Sequence, residues 1–290
     1  MNLREKLTAN ILAIESALKA EKERRKPNSE EKTRLKGYTG FGELKCVLLD
    51  INSPEVFSTD EKKLIPLIEQ LQNVLKFYSK DEKEYKEYLN SIKTSVLTAF
   101  YTSPLLIRAL NQSFGENDFI FPDVLDPAAG MGAFFKIKGE KYTAIEKDIL
   151  TGKILKALNP DKTILIDGFE KIPKRYSDSF NLVTSNIPFG DFKVYDPDFY
   201  NNIEKRKSCE TIHTYYFEKG LDMLKDGGLL AYITSTGIMD NQNDNFRRRL
   251  MHRANLISAI RLPEGTFEDT KVLSDLIVLQ RNDNKTELSN

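Results

Sequence analysis

The chain has 290 residues, 40% hydrophobic and 30% charged, long enough for one large domain or a domain with a substantial extension. Its 43 basic and 43 acidic side chains cancel, which excludes a global electrostatic pull toward nucleic acid; any such grip must come from local patches or another polypeptide. No apolar run reaches the ~18 residues of a membrane span, the N-terminal stretch is charged, and Cys46, Cys209, His213 and His252 make no metal spacing, so the composition predicts a cytoplasmic protein without membrane span, signal peptide or metal site.

Residues 1–25 read as an amphipathic helix, with Leu7, Ile11, Ile14 and Leu18 on one face. The mixed-sign run Lys19 to Lys26 is a solvated helix end. Lys36 to Gly42 carries three glycines and two aromatics and must turn sharply, either to cover a cleft or to join helices. Two more helices are expected at about 60–77 and 81–96, joined near Ser79. This first part shows no catalytic constellation and reads as a helical extension over 1–95.

From Leu97 the texture changes. The runs FPDVLDP, YTAIEKD, TILIDG, FNLVTSN, LLAYITS, ANLISAIRL and SDLIVLQR alternate with helical patterns. Alternation of this kind predicts an α/β fold, a mostly parallel Rossmann-like sheet with helices on both faces. The last two runs lie close together and add an antiparallel edge strand. The domain so read covers 96–290, with a polar, frayed tail from Asn282 to Asn290.

Four strand ends carry chemistry. The first ends at Asp126-Pro-Ala-Ala-Gly-Met-Gly132, whose small residues let the backbone approach a ligand closely. Phe135 stands where a dinucleotide-binding loop needs its third glycine, and no Lys-Ser/Thr follows, so this is not a phosphate-gripping loop. A carboxylate at Asp126 repels a pyrophosphate and suits an ammonium, which points to S-adenosylmethionine. Glu146 ends the second strand, placed for ribose hydroxyls. Asp167 ends the third, placed for an adenine amine, with Gly168-Phe169 beside the ring. The fourth strand runs into Asn186-Ile187-Pro188-Phe189. A residue before proline is extended, so Ile187 holds its carbonyl outward. One amide, free carbonyls and a flat ring at a strand end suit an exocyclic amine.

The order DPAAGMGAF, AIEKD, DGFE, NIPFGD resembles the amino-group DNA methyltransferases that modify adenine N6, and Ala99 to Pro104 resembles their segment over the cofactor's methionine. GYTGFGELK, NIPFGDFKVYD, IHTYYFEKGLDMLKDGGLLAYITS and ISAIRLPEGTF resemble the methylase part of phage and conjugative-element helicase–methylase proteins, over residues 37–281. The resemblance implies that Tyr101 and Thr102 line the methionine end of the cofactor. It implies that Asp126, Gly130 and Gly132 hold the methionine, Glu146 the ribose, and Asp167 with Phe169 the adenine, with Ala128, Lys147, Gly168 and Asn186 also on the cofactor. It also implies that Asn186 and the Ile187 carbonyl accept from the target N6 while Phe189 stacks on the flipped base. The family's usual proline is replaced by Ile187, which adds an N–H and backbone freedom to the turn. The implied partners are DNA and a helicase or target-recognition polypeptide. Two alternatives stay open: a methyltransferase acting on a protein glutamine or RNA adenine, and a catalytically weak cofactor-binding module.

Three further features have bland readings. Phe217, Leu221 and Leu224 follow a helical core pattern behind His213, itself a structural hydrogen bonder. Arg247-Arg248-Arg249 with His252 and Arg253 is either a phosphate contact or an exposed helical face. The loop 191–209, with Tyr195, Tyr200 and Lys205 to Lys207, is either a DNA-ordered segment or a mobile insertion.

Overall fold

In the computed structural model, residues 1–98, 102–115, 120–266 and 273–284 are described. The chain divides into two units, one of Met1–Phe100 with Asp148–Ile166 and one of Tyr101–Lys147 with Asp167–Asn290. The seven strand-like runs all form strands, in a sheet of order β3-β2-β1-β4-β5-β7-β6. They are β1 (Phe121–Asp126), β2 (Gly139–Glu146), β3 (Thr163–Ile166), β4 (Phe180–Asn186), β5 (Leu224–Ser235), β6 (Ala254–Arg261) and β7 (Ser274–Arg281). β1 pairs in parallel with β2 and β4, and β4 with β5. Antiparallel pairing is confined to the far edge, where β7 runs against both β5 and β6.

Apart from β3, the first unit is helical, with α1 (Leu3–Lys22), α2 (Ser29–Lys36), α3 (Thr59–Lys62), α4 (Ile65–Tyr78) and α5 (Glu82–Thr98) in its N-terminal part. Asn2 and Asn28 each start a helix through a reciprocal capping box, with Glu5 and Glu31. Leu7, Ile11, Ile14 and Leu18 are buried, as their spacing predicts. The glycine-rich turn is packed down inside this unit. Buried Asn10 donates to Gly40 O at 2.6 Å and accepts from Thr39 N at 2.9 Å, and Phe41 N donates to Ser95 Oγ at 3.1 Å. The helix Ile149–Leu158, between β2 and β3, belongs to the same unit; its cap Asp148 accepts from Ser91 Oγ at 2.6 Å.

In the second unit, α6 (Pro104–Gly115) packs Leu106, Ile107 and Leu110 against Val124, Leu182, Ala231 and Ile233. The short helices α7 (Pro197–Tyr200) and α8 (Ile203–Arg206) precede α9 (Ile212–Met223), and α10 (Asn245–Arg253) follows β5. α9 packs on Leu230 and Tyr232, which point to the face opposite Ala231 and Ile233 because strand side chains alternate. Helices therefore cover both faces of this part of the sheet. Among the described residues no helix is long and apolar enough to cross a membrane.

Gly220 lets α9 lie close to β5: a Cβ there would meet the Tyr232 hydroxyl at 2.6 Å and Leu230 Cδ1 at 2.7 Å. Gly220→Ala gains about 1 kcal/mol of helix propensity but overpacks this contact by ~2–3 kcal/mol. The expected result is a lower urea midpoint with an unchanged slope, read by circular dichroism.

Candidate active site

The strand order reverses between β1 and β4, since β1 leads outward to β2 while β4 leads to β5. Ligand crevices in open α/β sheets form at the carboxyl ends of strands flanking such a reversal. Here those ends are Asp126 and Asn186, and the second unit supplies them both.

After Asp126 the chain makes two turns that need φ near +52° at Gly130 and +78° at Gly132. Ala129 N donates to Ile145 O at 2.9 Å and Gly130 N to Glu146 Oε2 at 2.7 Å, so the end of β2 shapes the loop that leaves β1. A Cβ on Gly130 would meet nothing within 4 Å, which leaves the loop's outer side open to an approaching ligand.

Asp126 is 1% exposed. Its Oδ1 accepts from Ser185 Oγ at 2.7 Å and from Ala128 N at 3.3 Å, while Oδ2 is buried with no partner among the described residues. Burial pushes its pKa up to about 7, with the Ser185 and Ala128 hydrogen bonds opposing. A shift of that size corresponds to roughly 4 kcal/mol against the ionised form. An ammonium donor at Oδ2 would relieve it, so the pocket fits a cationic amine. Ser185 is a site residue that the sequence reading missed; its only signal is its place one residue before Asn186 on a strand.

The other predicted cofactor residues divide. Glu146 lies half-buried against the Gly130 amide. Asp167 is exposed, accepts from Gly168 N at 2.8 Å and pairs with Lys171 at 2.9 Å. Lys147 is turned to Glu170, 3.9 Å away, with its side chain in solvent. The Phe169 ring, expected beside an adenine, is instead a core group: it is 1% exposed and packs on Tyr215 and Tyr216, centroids 6.1 and 5.1 Å away. Gly168 is covered by Glu170, whose carboxylate a Cβ would strike at 2.2 Å. Tyr216, also unforeseen, is buried where Glu146, Glu170 and Asp126 act on it; burial first, then those charges, hold its phenol well above the usual range. Thr102 is half-buried ahead of α6 and makes no hydrogen bond to these groups, and Tyr101 lies outside the described residues.

At the end of β4, Asn186 Oδ1 is buried and has no partner among the described residues. Buried polar atoms are normally bonded, and leaving one bare costs about 1–3 kcal/mol. The Ile187 N–H donates to Ile233 O at 3.0 Å, which carries the β4–β5 ladder one residue beyond the strand. The expected backbone freedom at Ile187 is therefore absent: the amide that a proline would lack is used to fix the turn. Pro188 and Phe189 are half-buried, and Gly190 turns at φ +146°, where a Cβ would strike the Phe192 ring. Alongside, His213 Nε2 lies 3.1 Å from Ser235 Oγ at the end of β5. Burial lowers the His213 pKa and the Asp191 charge opposes this, in keeping with a neutral structural hydrogen bonder.

The arginine cluster is a brace. Arg247 donates to Ile238 O and Asn241 O, Arg248 pairs with Asp244, and Arg249 with Ser208 and Glu218. Arg253 bridges Glu218 at 2.6 Å and Asp222 at 2.7 Å. Arg247, Arg249 and Arg253 are thus engaged within the fold, while Arg248 and His252 remain on an exposed helical face, as one of the two sequence readings expects.

The model of the Eco57I restriction-modification methylase family matches residues 57–267. The Defense against restriction protein B of Escherichia phage P1 is 32% identical over 167 residues, 55% of this chain; the chain spans 7% of that protein's length. The type I restriction-modification system methyltransferase subunit from Streptococcus thermophilus superposes with a TM-score of 0.56 at 14% identity, over 94% of this chain and 66% of its own. A Listeria monocytogenes protein assigned to the class I S-adenosylmethionine-dependent methyltransferases gives a TM-score of 0.53 at 16% identity, over 99% and 91%. At these identities the structural likeness is one of fold, and the fold is that of the class I methyltransferases.

Ser185→Ala removes the stronger hydrogen bond to the Asp126 carboxylate. The Asp126 titration midpoint, followed by carboxyl-carbon NMR, should climb from about 7 by ~1–2 units. An unmoved midpoint would show that Ser185 does not hold the anion.

Proposed function

The chain belongs to the Eco57I restriction-modification methylase family, and from that footing we propose that it transfers a methyl group from S-adenosylmethionine to the N6 amine of an adenine turned out of DNA. The observation that carries this reading is the bare, buried amide oxygen of Asn186 at the carboxyl end of β4. An exocyclic amine has two N–H groups, and the Asn186 oxygen with the Ile187 carbonyl offers two acceptors for them. Accepting both protons draws the nitrogen lone pair out of conjugation with the purine and toward the methyl group. Phe189 supplies the ring on which the base stacks, and the Ile187–Ile233 bond keeps this turn from moving as the base enters.

On this reading Asp126 takes the ammonium of the cofactor's methionine, the Ala128–Gly132 loop lies along it, and Glu146 receives the ribose hydroxyls. Asp167 and the Gly168 backbone border the adenine, with Lys147 and Phe169 acting behind them, one through Glu170 and the other through the aromatic core. Tyr101 and Thr102 would close the methionine end. The cofactor supplies an activated sulfonium methyl; the protein's part is to place the acceptor nitrogen in line with it. Residues 96–290 carry this chemistry, and 1–95 is an extension to it. Zero net charge assigns DNA recognition to a further polypeptide, such as a helicase or a target-recognition subunit. We place the protein in the cytoplasm.

The deciding measurement is transfer of labelled methyl to unmethylated duplex DNA, beside Asn186→Ala. Label should appear in N6-methyladenine, and the variant should lose ~100-fold or more in kcat with cofactor Kd within about threefold. Equal loss in both constants would remove Asn186 from the base site, and label in protein or RNA would replace DNA as the substrate.

Cofactor affinity should also depend on pH. The ammonium binds the ionised form of Asp126, whose pKa is raised to about 7, so the proton and the ligand compete. Kd by calorimetry should weaken as pH falls below 7, approaching tenfold per unit, and weaken again above about pH 8 as the α-ammonium loses its proton.

A further inference from the structure

The segment that leaves the base turn is tied down by a buried charge pair. Asp196 is 1% exposed and caps α7, its Oδ1 accepting from Asp198 N at 2.9 Å and Phe199 N at 3.4 Å. Its Oδ2 accepts from Tyr215 Oη at 2.8 Å and from Lys219 Nζ at 2.7 Å. Tyr215 and Lys219 stand four residues apart on α9 and so share a face of that helix. The Lys219 and Asp196 side chains are 7% and 2% exposed, and the ammonium also lies 5.3 Å from the centre of the Phe199 ring. Val194 N donates to Cys209 O at 3.0 Å, which closes the segment on itself.

A buried ion pair is often matched or bettered by well-packed apolar residues, so its distinctive effect is geometric. The geometry runs in two directions. Toward the base turn, five residues separate Gly190 from the Asp196 anchor, and Gly190 already turns where only glycine is comfortable. Toward the cofactor side, the Tyr215 ring that holds Asp196 packs edge-on against Phe169, centroids 6.1 Å apart, and against Phe199 at 5.1 Å. Phe169 directly follows Asp167 and Gly168. One tyrosine thus touches both the segment leaving the base turn and the segment bordering the adenine.

We propose that Asp196, Tyr215 and Lys219 are positioning residues, a clasp that sets the Pro188–Gly190 turn in place for the target base before it arrives. This rests on the methyl-transfer reading given above. The clasp acts through the turn and does not touch the reacting atoms. It keeps the turn's acceptors aimed without a conformational search, and it links that aim to the aromatic core behind the cofactor.

The test is the double variant Asp196→Asn with Lys219→Met, which removes both charges and leaves no buried ion alone; the asparagine still caps α7. Amide hydrogen exchange over residues 189–195 and steady-state methyl transfer are measured against the wild type. Exchange should quicken at least tenfold and kcat should fall at least tenfold, with cofactor Kd by calorimetry within about threefold. Exchange at the wild-type rate in the folded variant would overturn the proposal, whatever the activity. So would loosened exchange with unchanged kcat. If the wild type itself transfers no methyl to DNA, the functional reading fails, while the exchange comparison still decides whether the clasp holds the turn. Should the double variant not fold, Tyr215→Phe removes only the hydroxyl bond to Asp196. Faster exchange over the same residues would then support the clasp and unchanged exchange would overturn it.

Discussion

A carboxylate set into the interior where two parallel strands part company constrains this structure more than any other group. Asp126 cannot be solvated there, because it is 1% exposed between β2 and β4. One oxygen is met by Ser185 from the neighbouring strand and the other by nothing in the described chain. The fold therefore carries a charge it would rather neutralise, which is why its pKa rises toward neutrality. A hydrophobic core alone would not select such a residue. The loop around it is shaped to the same end, with two left-handed glycines and the Glu146 contact holding the backbone back from the space above.

The second polar liability sits one strand away. Register places Asn186 opposite Ile233, and the ladder then runs one bond further through Ile187. An amide oxygen with no partner among the described residues and a carboxylate oxygen with none thus sit on adjacent strand ends, and the proposed function takes both as acceptors for a donor-rich ligand. The family match and the class I fold are established independently of these atoms.

α9 joins the two. Its inner face, with Phe217, Gly220 and Leu221, is close-packed on β5. Its other residues are unusually polar for their burial: Lys219 meets Asp196, while Glu218 and Asp222 receive Arg253, Arg249 and Lys205. The zero net charge of the chain takes on a structural meaning here. Lys205, Lys219, Arg249 and Arg253 are spent within the fold on acidic partners.

What could be read from the amino acids was whatever depends on local pattern. Seven apolar runs at strand length gave seven strands, Leu7 to Leu18 gave a buried helical face, and small residues after Asp126 gave a tight loop. The placement of Asp126, Glu146 and Asn186 at strand ends follows from the same alternation, because a run's end is visible in its residues. Only tertiary packing decided the rest. Ser185 reaches Asp126 across 59 positions of sequence, and Tyr215 reaches Asp196 across 19, distances at which no periodicity operates. Phe169 was read as a ligand contact and became core because the aromatic residues of α9 close over it. The engagement of Arg249 and Arg253 could not be read because the carboxylates that meet them, Glu218 and Asp222, lie on another helix. Sequence shows which groups a strand or helix will present; which partners meet them is set when the sheet and its helices assemble.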